Sequence, residues 1–131
     1  MLGSMLARRL TEAGEDVTVV DYNPAAFRRL GDDFQGQTVT GTGIDADVLA
    51  RAGANDCGLF ITTTGSDGTN LMAAQVAKLQ FGIKNVLVRI YEPAKAEVFA
   101  GEGFSLICTT SLAVDAFSAA IARAKGASEC T

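Results

Sequence analysis

The feature that most constrains this chain is its alternation of short β-rich runs with helical patterns, one following the other almost without interruption. Met5, Leu6, Arg9 and Leu10 stand at helical spacing ahead of a Gly14 stop. "DVTVVD" (16–21) is a continuous β-branched strand of the kind buried on both faces of a sheet. Pro24 opens a short helix through Leu30, since proline suits a first helical turn. "QTVTG" (37–41) predicts a strand, and Asp45 to Ala52 a helix ended by Gly53. "CGLFITT" (57–63) predicts a third strand, after which Ser66 or Asp67 caps a longer helix that stops at Gly82. A fourth strand, "NVLVRI" (85–90), leads to a helix over Pro93–Ala100 and a fifth strand, "FSLICT" (104–109). The last helix has Leu112, Val114, Phe117, Ile121 and Ala124 as apolar positions and ends near Lys125, before a frayed tail.

A helix followed by five strand–helix repeats describes a doubly wound α/β domain built on a parallel sheet. With 131 residues the chain suits one domain, 1–131, and no linker, charge block or low-complexity segment divides it. Hydrophobic residues make up 48% and charged residues 20%, which excludes a disordered chain. Apolar runs of about five residues are too short for a membrane span or a signal-peptide core. The net charge is −4 and the 11 Lys and Arg are scattered, so a nucleic-acid backbone is not the expected partner. Cys57, Cys108 and Cys130 show no paired spacing and fit a reducing compartment better than a disulfide framework. Histidine is absent, which removes the commonest general base and the commonest zinc ligand together. Neither a catalytic nor a metal-binding set is expected.

The candidate site residues cluster at strand ends. Gly3 stands where a glycine-rich turn enters a helix, and Asp21 ends an apolar strand 18 positions later. In dinucleotide-binding sheets a helix N-terminus holds the pyrophosphate, and an acidic residue about 20 positions on takes the ribose hydroxyls. A helix cap for the Pro24 segment is the competing role of Asp21. In "TGTGIDADVL" (40–49), Gly41 and Gly43 leave backbone N–H groups open to a ligand, while Asp45 doubles as an N-cap. "TTTGSDGTN" (62–70) follows a central-looking strand, and ligands bind at such strand ends. Thr62, Thr63 and Thr64 are equally able to satisfy one another, and Asn70 to act as a local backbone partner. Arg89 sits in an apolar strand, where it needs either a carboxylate such as Glu92 or Asp67 or an anionic ligand. Cys108 has no histidine to activate it and reads as a buried packing residue.

Taken in order, "GSMLARRL", "VTVVDYNP", "TVTGTGIDADVLARAGANDC", "ITTTGSDGTNLMAAQVAK", "VRIYEPAKAEVF" and "GFSLICTTSLA" resemble a known family. It is the NAD-binding regulatory domain of Trk/Ktr-type potassium uptake systems, also called the RCK or KTN domain (TrkA N-terminal domain). The likeness covers nearly all of residues 3–113, and its most specific parts are Thr64-x-x-Asp67-x-x-Asn70 and Arg89 followed by Glu92-Pro93. It implies a Rossmann-like fold and a ligand sensor, not an enzyme. The implied cofactor is NAD(H) or ATP/ADP, with Asp21 at the adenosine ribose and Gly3 at the pyrophosphate. The Gly41–Asp45 turn, Thr42 included, falls near the adenine, and Thr63, Thr64 and Arg89 near the phosphates or distal half. Ser4, Tyr22 and Asn23 complete the candidate cofactor contacts. The implied partners are a homodimer or higher ring, with the 109–125 helix as a dimer contact, and a potassium channel or transporter subunit in the membrane. The domain would then be cytoplasmic and peripheral to the inner face of the cell membrane, without inserting into it. A small NAD-dependent oxidoreductase is the alternative, although Tyr22 and Tyr91 have no lysine at a helical spacing for a proton relay.

The family resembled carries a strand and two further glycines ahead of Gly3, where this chain shows only Met1 and Leu2. In strand order 3-2-1-4-5-6 the first strand is central, between "DVTVVD" and "CGLFITT". Unsatisfied buried polar groups cost roughly 1–3 kcal/mol each. The expectation is therefore that the flanking strands close up and pair, that another chain donates a segment, or that the natural protein has upstream residues, the last being favoured. Of the isolated chain, a rearranged or strand-exchanged sheet and weakened pyrophosphate binding are expected.

Overall fold

Local chemistry sets the ends of the helices. In the computed structural model, which describes residues 1–129, α3 (Asp67–Phe81) begins where Ser66 Oγ accepts the N–H of Thr69 at 3.2 Å. It ends at Gly82, whose φ of 65° is left-handed and open to glycine, with Ile83 N–H returning to the Ala77 carbonyl at 3.2 Å. The other helices are α1 (Leu2–Glu12), α2 (Ala46–Arg51), α4 (Pro93–Phe99) and α5 (Thr109–Glu129). No helix among the described residues is long and apolar enough to cross a membrane.

All strand pairs are parallel. β1 (Thr18–Asp21) pairs with β2 (Gln37–Thr40), with Thr18 opposite Gln37. β4 (Asn85–Ile90) lies between β3 (Leu59–Thr62) and β5 (Ser105–Cys108), in the register Leu59 to Asn85 and Leu87 to Ser105. The core is centred on β4. Val86, Val88 and Ile90 alternate along it and are buried against α3, whose Ala74 and Ala77 let the helix lie close to the sheet. Leu49 of α2, Leu71 and Ile83 complete the cluster, and Phe60, Phe99 and Phe104 pack around it.

The structure corrects several expectations. β1 is half-buried along its whole length, not buried on both faces, because among the described residues β2 is its only strand neighbour. Of the three alternatives for the first strand, only direct pairing of β1 with β3 is excluded: the five strands among the described residues form a two-stranded and a three-stranded sheet. The interval between them is a groove walled by Leu6, Ala7 and Leu10 of α1 and by Leu49 and Ala73, side chains that direct β1–β3 pairing would have to displace. Apart from the buried Thr62 the facing strands are at most half-buried, Leu59 being 42% exposed, so the penalty for unsatisfied groups does not apply in full.

Pro24–Leu30 is a 3-10 helix. β3 starts at Leu59 because Cys57 still closes the short 3-10 turn Ala54–Asp56. α5 continues past Lys125 to Glu129, since Gly126 takes no positive φ that would stop it. Cys130 and Thr131 of the expected frayed tail lie outside the described residues.

Candidate functional site

In a parallel sheet the strand C-termini and the helix N-termini meet at one edge. Here that edge gathers Asp21 at the end of β1, Thr63 and Thr64 beyond β3, and the first turn of α1. Gly3 belongs to that turn, and a Cβ on it would lie 2.7 Å from Thr63 Oγ1. Glycine is what lets α1 come so close to the end of β3. The α1 N-terminus contributes free backbone N–H groups and the positive end of its dipole, with no acidic residue in its first turn.

These residues line the groove between β1 and β3, which has a volume of about 860 Å³. Small-molecule sites commonly occupy about 300–1,000 Å³. The groove runs the length of both strands, so only its carboxyl end has the polar chemistry of a site. There the Asp21 Oδ1 accepts the Asn23 N–H at 2.9 Å, and its Oδ2 has no protein partner among the described residues. An ionised carboxylate with a free oxygen can accept two hydroxyl protons from a vicinal diol. Ser4 also lines the groove, though its Oγ already donates to the Met1 carbonyl at 2.8 Å.

Gly43 lines the groove as well, whereas Tyr22, Asn23, Gly41, Thr42 and Asp45 stand outside it. Tyr22 is exposed, and Asn23 Oδ1 caps the 3-10 helix by accepting the Ala25 N–H at 3.1 Å. The capping role considered for Asp21 thus belongs to Asn23. Gly41 answers to packing, because a Cβ there would lie 2.6 Å from Val48 Cγ2. Thr42 Oγ1 accepts the Ile44 N–H at 3.3 Å, and Asp45 Oδ1 caps α2 by accepting the Asp47 N–H at 2.9 Å.

Arg89 is joined to the groove through one atom. Its Nη2 donates to the Thr64 carbonyl at 2.9 Å, and its guanidinium lies 4.7 Å from the centre of the Tyr91 ring. Of the two alternatives for Arg89, no carboxylate pairs with it among the described residues: Asp67 faces Lys95 at 4.0 Å and backbone N–H groups instead. Arg89 Nε is buried with no partner among the described residues, an orphaned donor that fits an anionic group nearby. Cys108 is half-buried rather than buried, and Ser111 Oγ donates to its Sγ at 3.3 Å.

The sequence reading undervalued Asp67 and Asn70. Asp67 is buried, and its two oxygens accept the N–H groups of Tyr91 at 2.8 Å and Glu92 at 3.1 Å. Glu92 supplies no side-chain cap to α4; Asp67 of α3 instead holds the two N–H groups of the chain just before that helix. Asn70 is fully buried and bonds Thr62, Thr64 and Arg89. The signal for the pair was the i, i+3 spacing, which puts both on one face of α3.

A family model described as the TrkA-N domain matches residues 1–110. The Trk system potassium uptake protein TrkA of Streptomyces coelicolor is 42% identical over 114 residues, 87% of this chain and 51% of that protein. The chain thus spans about half the length of that curated relative. Among solved structures, the NAD(P)-binding domain of an exopolyphosphatase-related protein from Archaeoglobus fulgidus has a TM-score of 0.75 at 23% identity. It covers 93% of this chain and 91% of its own. GsuK bound to ADP has a TM-score of 0.67 at 20% identity, covering 81% of this chain and 28% of its own. At such identities these two likenesses show a shared fold.

Proposed function

The chain belongs to the TrkA-N domain family, and from that premise we propose that it is the nucleotide-sensing, regulatory domain of a potassium uptake system. The ligand is an adenine nucleotide, NAD(H) or ATP/ADP. Asp21 accepts the adenosine ribose hydroxyls, the α1 N-terminus at Gly3 and Ser4 takes the pyrophosphate, and Thr63, Thr64 and Arg89 face the remaining phosphates or the distal half. The Gly41–Asp45 turn, Thr42 included, is the adenine side of the ligand, with Tyr22 and Asn23 as further contacts. The single observation that carries this reading is the Asp21 carboxylate, which keeps a free oxygen at the groove end where the α1 N-terminus also lies. The ADP complex of GsuK, a protein of the same fold, supports the ligand class.

The domain holds its ligand without transforming it, and passes ligand state to a membrane transporter subunit at the inner face of the cell membrane. α5 supports self-association: Leu112, Val114, Phe117 and Ile121 are all more than half exposed along it. A dimer or ring built on this helix would cover that surface. Thermal unfolding with AMP, ADP, ATP, NAD and NADH in turn is the test. A ligand at 100 times its Kd stabilises the native state by about 2.7 kcal/mol. Stabilisation without turnover of alcohols or aldehydes is the expected result. Turnover would indicate an oxidoreductase, and no stabilisation by any of the five a module without nucleotide binding.

A further inference from the structure

Asn70 has no contact with the groove, yet it organises the groove's edge. Its side chain is fully buried one turn into α3. Its Oδ1 accepts from Thr62 Oγ1 at 2.8 Å, Thr64 N at 2.9 Å and Thr64 Oγ1 at 2.7 Å. Its Nδ2 donates to the carbonyls of Thr64 and Arg89, both at 3.0 Å. Only a carboxamide supplies acceptor and donors together at this reach; an aspartate would lose both donors and bury a charge.

The Thr64 carbonyl is the shared point. It accepts from Asn70 Nδ2 and from Arg89 Nη2. Asn70 therefore holds Arg89 twice, through its backbone carbonyl and through the oxygen on which its guanidinium rests. Nη2 is committed to that oxygen and the guanidinium lies over Tyr91, while Nη1 has no protein partner among the described residues. An arginine held in this way offers the rest of its donor fork without first losing side-chain freedom.

The geometry points to Asn70 as a positioning residue for phosphate recognition, acting through Thr64 on Arg89; this rests on the nucleotide-binding reading above. Asn70 fixes the carbonyl, the carbonyl fixes the guanidinium, and the guanidinium meets the phosphates of the ligand. Adenosine alone, which has no phosphate, gains nothing from the arrangement.

Two measurements test it. The first uses the nucleotide-free wild-type chain, with the order of the Arg89 Nε–H group read by 15N relaxation. The expected result is order close to that of the β4 backbone, falling in Asn70→Ala or, should that variant not fold, in Asn70→Ser. A mobile Arg89 in the wild type overturns the proposal whether or not any nucleotide binds. The second compares ADP with adenosine by calorimetry. Asn70→Ala should weaken ADP about tenfold, leave adenosine within about twofold, and add nothing to the loss in Arg89→Gln when the two are combined. Equal losses for ADP and adenosine, or additive losses in the double variant, overturn it. Failure of wild type to bind ADP while Arg89 is ordered refutes the nucleotide reading and, with it, the phosphate role.

Discussion

Replacing Asp67 with alanine should cost more stability than its position at a helix end suggests. The two carboxylate oxygens serve the N–H groups of Tyr91 and Glu92, 24 and 25 residues away, at 2.8 and 3.1 Å. These donors immediately precede α4, which has no side-chain cap of its own. Hydrogen bonds to a charged group contribute about 1.5–3 kcal/mol each. Tyr91 and Glu92 are exposed residues, so water recovers part of that loss, and the net cost should be about 2–4 kcal/mol. The ion pair with the half-exposed Lys95, at 4.0 Å, adds little. A loss of about 3 kcal/mol is a large share of a stability of roughly 5–15 kcal/mol and lowers Tm by roughly 10 °C. Asp67→Asn retains one acceptor and should lose about half as much. Urea unfolding followed by circular dichroism measures all three proteins. An Asp67→Ala midpoint equal to that of the wild type would refute the view that this side chain of α3 anchors the entry to α4.

Gly41→Ala should destabilise by about 1–3 kcal/mol through overpacking, because the added Cβ would lie 2.6 Å from Val48 Cγ2 at a buried site. An unchanged urea midpoint would show that α2 moves freely away from β2. Phe117→Asp should abolish self-association, read by light scattering at high micromolar concentration, while changing stability by no more than about 0.5 kcal/mol. Phe117 is 71% exposed, and a specific interface there needs on the order of 1,200 Å² in total. A wild type that is monomeric under those conditions contradicts the α5 interface.

Elements whose signals are local were legible in the sequence. The limits of α3 come from Ser66 and Gly82, and both acted through neighbours within six residues. β4 announced itself as an apolar run and is the buried centre of its sheet. The burial of β1 was not legible, because it depends on what lies beside the strand rather than on "VTVVD" itself. The true bonding of Asn70 was hidden for a similar reason. Its partner Arg89 is 19 residues away, and nothing in "DGTN" says that β4 ends beside it. Arg89 itself was recognised as a cation in need of a partner, yet that partner is a carbonyl and not a carboxylate. Charge alone does not distinguish the two. Among the candidate site residues, Gly3, Ser4, Asp21, Thr63 and Thr64 come together along the groove because strand ends converge there. The turn from Gly41 to Asp45 is occupied with packing on Val48 and capping α2.

Calorimetric titration of the wild-type chain and Asp21→Ala with NADH and NADPH tests the central claim most directly. The Asp21 carboxylate accepts ribose hydroxyl protons and meets a 2′-phosphate as like charge. The account predicts that NADH binds the wild type at least about tenfold more tightly than NADPH, a difference of about 1.4 kcal/mol. It also predicts that Asp21→Ala weakens NADH and narrows that gap. Equal affinities for the two cofactors, or an alanine variant that binds NADH as well as the wild type, would contradict it.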